Sequence, residues 1–125
     1  MSPWQDRYSI VERHTGAAVV VELHGEFDLL AAASLTGCLL KATGDQDHDV
    51  IVDLRPATFV DASTLGVLSG AYNRMRGSGH RLQVVATRPL TVRILKMCRL
   101  DRVLHLVSAL PPTGELTASR SAQGA

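Results

Sequence analysis

A surplus of charge of either sign is missing from this chain. Its 125 residues carry 13 Lys and Arg against 12 Asp and Glu, a formal net charge of +1, and the basic residues form no consecutive run. Nucleic-acid-binding domains carry a clear basic surplus, so we expect no direct nucleic-acid partner. No apolar stretch approaches the ~20 residues of a membrane-spanning helix, and no signal-peptide pattern opens the chain. We therefore expect a cytoplasmic protein without a membrane partner.

Cysteine is also scarce, and histidine follows no ligand spacing. The two cysteines, Cys38 and Cys98, lie far apart within apolar segments. We interpret both as buried reduced thiols rather than as a disulfide or a reactive site. The five histidines are scattered and match no metal-ligand pattern. We therefore expect no bound metal and no cofactor.

The remaining composition is that of a globular domain whose strand and helix patterns alternate. Apolar residues make up 46% and charged residues 20%, and the length suits a single core. Alternating or β-branched segments predict five strands, at residues 8–13, 17–24, 50–54, 81–86 and 103–107. Helix formers predict three helices, at residues 29–42, 62–76 and 89–98. The order ββαβαβαβ predicts an α/β fold, a mixed sheet of about five strands with helices packed on it.

The end of the chain has a different character. From Pro111 onward the residues are small, polar and rich in helix and strand breakers, without apolar periodicity. Such a segment cannot bury enough apolar surface to offset the entropy of ordering it. We predict one domain over residues 1–110 and a flexible tail over residues 111–125.

The stretch D61-A-S-T-L-G66 lies where the third predicted strand leads into the second helix. Asp61 is a plausible N-cap. With about 100° per residue, the apolar side chains form one stripe that must face the sheet: Leu65, Leu68, Tyr72 and Met75. Ser63 lies roughly 160° from the centre of that stripe, and Thr64 only about 60° from it. Ser63 is therefore the hydroxyl predicted to face solvent.

The outer face of this helix lacks the residues that solvated helices usually carry. Ser63 shares it with Gly66, Val67, Gly70 and Arg74. Each glycine costs about 1 kcal/mol relative to alanine within a helix, whereas Lys, Glu or Gln would favour the helix. Two explanations are open: the glycines form a docking surface, or they pack beneath a neighbouring loop.

The hydroxyl at position 63 also has two interpretations. Asp-x-Ser at a helix start is a common capping pattern, so Ser63 and Asp61 could serve the helix alone. Alternatively, the hydroxyl is presented for modification, since a phosphate in a first helical turn meets free N–H groups and the positive end of the dipole. A serine nucleophile is not indicated, because G-x-S-x-G and a nearby His/Asp pair are both absent. We expect no enzyme.

Two motifs together suggest a family. H24-G-E-F-D28 ends one predicted strand and D61-A-S-T-L-G66 follows another, and the pair resembles the STAS-domain family of bacterial anti-sigma factor antagonists. In that family a G-E-L/F-D turn follows the second strand, and a D-S/A-S-G/T-L-G motif begins the second helix. The resemblance covers the chain from about residue 8 to residue 110. It implies the STAS fold.

The resemblance also implies a function. Such antagonists bind an anti-sigma factor that is also a GHKL-type serine kinase, and thereby release the sigma factor. The kinase phosphorylates a serine at the helix start, which breaks the complex, and a metal-dependent serine phosphatase restores it. By the resemblance the phosphorylated residue is Ser63. The partner-binding positions that we predict, from the motif and from the outer face, are Asp28, Asp61, Ala62, Thr64, Gly66, Val67, Gly70 and Arg74.

Two positions depart from the commonest family pattern, and alternatives to the switch remain. Ala62 stands where a serine is frequent, which leaves Ser63 the only serine at the site. Thr64 stands where glycine is frequent, which adds bulk and a possible minor second acceptor. Asp28 and Asp61 could act as caps alone. A scaffold or stressosome-like STAS module without a phospho-switch is the alternative function, and a small hydrolase using Ser63 is a third.

Overall fold

The computed structural model describes residues 7–14, 17–44 and 47–110, together with the backbone of residues 117–123. Within these ranges seven strands form one sheet, and four helices accompany it. In chain order the elements are β1 (Tyr8–His14), β2 (Ala18–Phe27), α1 (Leu29–Gly44), β3 (Asp49–Asp53), β4 (Ala57–Val60), α2 (Ala62–Met75), β5 (Leu82–Val85), α3 (Pro89–Met97), α4 (Leu100–Val103), β6 (Leu106–Val107) and β7 (Thr117–Gln123).

The sheet is mixed, and its parallel part determines where the helices begin. The strand order is β6-β5-β3-β2-β1-β7, and β4 pairs with β2 outside this path. Strands β2 to β6 run parallel to one another, whereas β1 is antiparallel to both β2 and β7. The carboxyl ends of parallel strands meet at one edge of a sheet. Helices α1, α2 and α3 follow β2, β4 and β5, so all three begin at this carboxyl edge.

The α/β class and the mixed sheet are confirmed, and each predicted strand and helix has a counterpart. The strand number of about five was too low, because β4 and β7 were not predicted. Strand β4 has only four residues and directly follows Pro56, so its period-2 pattern is too short to detect. The last predicted strand shrinks to two residues, because the single turn α4 occupies its beginning.

The end of the chain differs from the predicted tail. Residues 117–123 form β7, which pairs antiparallel with the outer edge of β1. A sheet edge offers backbone N–H and C=O groups to any extended segment, so this pairing needs no apolar pattern in the added strand. The rest of the predicted tail, residues 111–116 and 124–125, lies outside the described residues.

The main core lies between the sheet and the helices. Its largest fully buried side chains include Leu23 and Phe27 from β2, Leu35 and Leu39 from α1, and Leu68 from α2. A smaller cluster lies on the opposite face of the sheet and consists of Ala18, Val20, Ile51 and Val85. The helices thus cover one face, as the predicted stripe of α2 required. Among the described residues no helix is long and apolar enough to cross a membrane.

The two cysteines have different environments. Cys38 is buried on the inner side of α1, as predicted, and burial raises the pKa of its thiol. Cys98 is exposed, so the prediction that both thiols are buried is wrong for this residue. Thr91 and Leu95 form the buried side of α3, and Cys98 would lie on that side if the helix continued. Because α3 ends at Met97, Cys98 lies outside the helix and is exposed.

Gly25 has a backbone conformation that requires glycine, and this yields a prediction. Its φ is +90°, and an added Cβ would lie 2.1 Å from the carbonyl oxygen of Arg7. We expect Gly25→Ala to lower the free energy of unfolding by more than about 2 kcal/mol, because the left-handed conformation alone costs about 1–2 kcal/mol and the collision adds to it. Urea denaturation followed by circular dichroism measures the change.

The matched control is Gly37→Ala on α1, where an added Cβ has no neighbour within 4 Å. Because alanine favours a helix over glycine, this variant should gain up to about 1 kcal/mol. Equal stability of the two variants would contradict the assigned role of Gly25.

Candidate functional site

The start of α2 places Ser63 at the carboxyl edge of the sheet. Asp61 is the N-cap, in extended conformation, and its carboxylate accepts the backbone N–H of Thr64 at 3.2 Å. The predicted cap is thereby confirmed. Ser63 is half-buried, and its hydroxyl donates to Oδ1 of Asp61 at 2.5 Å. Ser63 therefore lies in the first helical turn with a hydroxyl that is not enclosed in the interior.

Asp61 is held in its ionised form. The hydroxyl of Ser63 is the main cause of a lowered pKa of the Asp61 carboxyl, and the backbone N–H groups and hydroxyl of the same turn add to it, against a smaller opposing effect of desolvation. A carboxylate with a lowered pKa is a poor general base. No described side chain other than Asp61 binds the Ser63 hydroxyl, so the geometry does not support a serine nucleophile.

Thr64 ties this turn to the end of β2. Its side chain is fully buried, and its hydroxyl donates to the carbonyl oxygen of Phe27 at 3.1 Å. The backbone N–H of Asp61 donates to the same carbonyl at 3.2 Å. The burial of Thr64 does not favour a partner contact or a minor acceptor role for this residue, and both remain predictions. The wheel placed Thr64 at the flank of α2, and the end of β2 covers that flank.

Asp28 belongs to the same junction from the other side. It directly follows Phe27, and its Oδ1 accepts the backbone N–H groups of Leu30 and Ala31 at 3.1 and 3.2 Å. It therefore caps α1, one of the two roles considered from the sequence. Its other oxygen accepts Arg7 at 3.2 Å, and Arg7 also binds Glu26 at 2.9 Å. A partial role in partner binding remains a prediction for Asp28 and Asp61.

The outer face of α2 is open at Ala62 and Gly66, whereas Val67 packs against the main core. Ala62 and Gly66 are exposed, and Val67 and Gly70 are half-buried. An added Cβ at Gly66 would meet nothing within 4 Å, and one at Gly70 would meet only the guanidinium of Arg74, at 3.7 Å. These contacts do not favour the alternative that the glycines pack beneath a loop.

Arg74 lies differently from the other predicted partner-binding residues. It is half-buried, and its Nε donates to the hydroxyl of Thr43 on α1 at 3.1 Å. The side chain therefore lies across the contact between α1 and α2. A direct contact of Arg74 with a partner remains a prediction.

Four large apolar side chains at the carboxyl edge were not predicted as part of the site. We call them the apolar rim: Leu29 and Leu30 at the start of α1, Phe59 on β4 and Leu90 at the start of α3. Their exposed fractions are 73%, 64%, 49% and 61%. The sequence held one signal, since Leu29 and Leu30 precede the buried stripe of α1 and do not continue it. The sheet topology brings β4 and the starts of α1 and α3 to one edge. The sequence alone therefore could not group these four side chains.

Similarity to known proteins extends over most of the chain. A family model described as "Mlab, STAS domain" matches residues 10–108. The Mycobacterium tuberculosis (strain ATCC 25618 / H37Rv) protein named anti-sigma-F factor antagonist RsfB is 29% identical over 100 residues, which are 80% of each chain. A crystal structure of an anti-sigma factor antagonist from Mycobacterium paratuberculosis has a TM-score of 0.77 and 24% identity, and covers 87% of this chain and 91% of that chain.

SpoIIAA, described as an anti-sigma factor antagonist and a Bacillus cell fate determinant, is similar in two states. Its unphosphorylated form has a TM-score of 0.70 and 19% identity, over 82% of this chain and 88% of that chain. Its phosphorylated form has a TM-score of 0.61 and 19% identity, over 82% and 91%. These structural similarities establish the fold. Because the family model spans most of the chain, the protein belongs to the STAS domain family.

The hydrogen bond between Ser63 and Asp61 yields a prediction about pH. Ser63→Ala removes the main cause of the lowered Asp61 pKa, so we expect this pKa to rise toward its ordinary value of 3.8. In the wild type the bond stabilises the fold above pH 3.8, and that contribution is lost as the pH falls through the folded-state pKa. Between pH 5 and the acid transition, the free energy of unfolding should therefore fall less in the variant than in the wild type. The difference should be on the order of tenths of a kcal/mol.

Carbon-13 NMR titration of the Asp61 carboxyl measures the pKa directly. Ser69→Ala is the control, because the Ser69 hydroxyl donates to the Leu65 carbonyl on the same helix and does not contact Asp61. An Asp61 pKa that is equal in the Ser63→Ala and Ser69→Ala variants would contradict the geometry.

Proposed function

We propose that this protein is an anti-sigma factor antagonist that is switched off by phosphorylation of Ser63. The STAS domain assignment and the names of the similar proteins support the antagonist role. The observation that carries the switch is the half-exposed Ser63 hydroxyl in the first turn of α2, bound to an ionised Asp61. SpoIIAA, which shares the fold, has been solved with and without its phosphate.

The proposed reaction transfers the γ-phosphoryl group of ATP to Oγ of Ser63, with release of ADP and loss of the hydroxyl proton. The product can no longer donate to Asp61. It also places about 1.5 to 2 negative charges beside that carboxylate at pH 7. The N–H groups and the dipole at the start of α2 partly offset this repulsion. The domain therefore stays folded while the surface around Ser63 becomes strongly charged and hydrated.

The proposed partner is an anti-sigma factor that is itself a GHKL-type serine kinase, and a serine phosphatase reverses the modification. The apolar rim lies at the same edge of the sheet as Ser63, and together with Gly66 on the open side of α2 it supplies a surface that excludes water when covered. A phosphate at its centre would keep that surface hydrated, so the partner leaves. ATP and sigma factors are found in the cytoplasm, where we place this exchange.

Substitution of Ser63 tests the switch. We expect Ser63→Ala to bind the kinase as tightly as the wild type and to remain bound when ATP is added. Ser63→Asp should bind more weakly, because it places a charge within the contact surface. Surface plasmon resonance measures both affinities, and mass spectrometry locates the phosphate. Both variants should lose less than about 1 kcal/mol of stability, since the Ser63 side chain is not the N-cap.

Ser69→Ala is again the matched control and should release the kinase in ATP as the wild type does. Stable binding of the unmodified wild type in ATP, with no phosphate on Ser63, would favour a scaffold STAS module without a switch. A large loss of stability in Ser63→Ala would favour the interpretation that this serine serves only the helix.

The face around Gly66 gives a second test, which concerns the docking surface. Gly66→Gln adds a side chain to the open face of α2, so we expect the affinity for the kinase to fall about tenfold or more, as for disrupted interface contacts. Stability should rise by up to about 1 kcal/mol, because glutamine favours a helix. Binding and urea denaturation are measured on the same preparation.

Gly37→Gln on α1 is the matched control, since its position is equally open but lies outside the proposed surface. It should raise stability similarly and leave the affinity unchanged. Equal affinities of the two variants would show that the face around Gly66 does not contact the kinase.

A further inference from the structure

The basic residues of this near-neutral chain are concentrated in one segment. Residues 76–105 contain seven Lys and Arg residues and a single acidic residue, whereas residues 7–75 contain five basic and nine acidic residues. All seven are exposed. None of these seven residues forms an ion pair with another residue that the structure describes, whereas Arg7, Arg13 and Arg55 do. The positive charge of the segment is therefore not neutralised within the described part of the fold.

Four of these cations lie on α3, on α4 and in the turn between them, and form what we call the basic face: Arg93, Lys96, Arg99 and Arg102. Three of them, Lys96, Arg99 and Arg102, line a surface cavity of about 290 Å³ together with Asp101. Three cations against one carboxylate leave the cavity with a positive potential, which favours anionic groups of a ligand.

Apolar side chains accompany the cations. Leu90 and Met97 are 61% and 73% exposed on α3, whose buried side is formed by Thr91 and Leu95. Protein interfaces are enriched in Arg and Met, and this surface exposes three Arg together with Met97. Anionic membranes attract Lys and Arg alike, and contacts to nucleic-acid phosphates do not require exposed apolar residues. The composition therefore favours a protein partner.

We infer that the basic face docks an acidic segment of a protein partner. Carboxylates of the partner bind Lys96, Arg99 and Arg102 at the cavity, and its apolar side chains cover Leu90 and Met97. This inference goes beyond the proposed function, because it assigns a second contact surface and its chemistry. It rests on the proposed function only for the identity of the partner as the anti-sigma factor.

The basic face lies within reach of a protein that covers Ser63. Helix α3 begins at the carboxyl edge, where Nε of Arg88 donates to the carbonyl oxygen of Ala57 at 3.0 Å. Ala57 is the first residue of β4, the strand that leads into Asp61 and Ser63. Leu90 belongs to the apolar rim and lies three residues before Arg93 on α3, so one partner can contact the start of α2 and continue along α3.

An acidic peptide tests the basic face without the natural partner. The probe is a blocked nonapeptide of three Glu-Glu-Leu repeats, titrated at low ionic strength and followed by amide NMR shifts. We expect shifts on α3 and α4, and an affinity about tenfold lower for Arg93→Gln/Lys96→Gln/Arg102→Gln. The control Lys41→Gln/Arg76→Gln/Arg81→Gln changes the net charge equally at exposed positions outside the face, and should lose less than about twofold.

Three results of the peptide titration would overturn the inference. An equal loss of peptide affinity in both triple variants would show that binding depends only on net charge. Amide shifts confined to elements other than α3 and α4 would place the contact elsewhere. Tighter binding to a DNA duplex, or to vesicles of equal parts phosphatidylcholine and phosphatidylglycerol, lost in the basic-face variant alone, would replace the protein partner with a nucleic acid or a membrane.

A second experiment measures binding of the anti-sigma factor itself. We expect its association rate constant to fall about tenfold or more in the basic-face variant, with a smaller change in dissociation and a weaker dependence on salt. Unchanged association would overturn the inference even if Ser63 switches the complex. If the peptide binds the basic face but the wild type binds no anti-sigma factor, the inference about the basic face is supported and the proposed function is refuted.

Discussion

The carbonyl oxygen of Phe27 is the point on which the geometry of the site depends. It accepts the backbone N–H of Asp61 and the hydroxyl of Thr64, which joins the end of β2 to the start of a helix 37 residues later. Because Thr64 is held inward by this bond, the preceding residue projects about 100° around the helix from it. The orientation of Ser63 is therefore a consequence of how a buried threonine satisfies its hydrogen bond.

The parallel strands extend this arrangement to the whole carboxyl edge. Three helices begin there, which brings Asp28, Ser63 and Leu90 to one edge of the sheet although they are far apart in sequence. Exposed apolar side chains that are ordinary one at a time thus lie at the same edge of the sheet as Ser63. The same topology directs α3 away from Ser63 with its cations outward, so the two proposed contact surfaces meet at the start of that helix.

Features of the fold that follow a local rule could be predicted from the sequence. The spacing of Leu65, Leu68 and Met75 predicted the buried side of α2, and Asp61 was correctly assigned as its cap. The short strand β4 was missed because it is stabilised by pairing with β2, a contact that no local pattern reveals. The burial of Thr64 was missed for a similar reason, since a helical wheel gives an angle but not what covers it. The exposure of Cys98 depended on a helix that ends one residue earlier than predicted.

The enclosure of Thr64 has a consequence for how such a protein could carry information. Because that neighbouring hydroxyl is buried, the proposed switch would have one acceptor at the start of α2, and each copy would be either modified or not. A graded response must then come from the fraction of copies in each state. The set point of the system would follow the ratio of two opposing enzyme activities, and not the extent of modification of any one molecule.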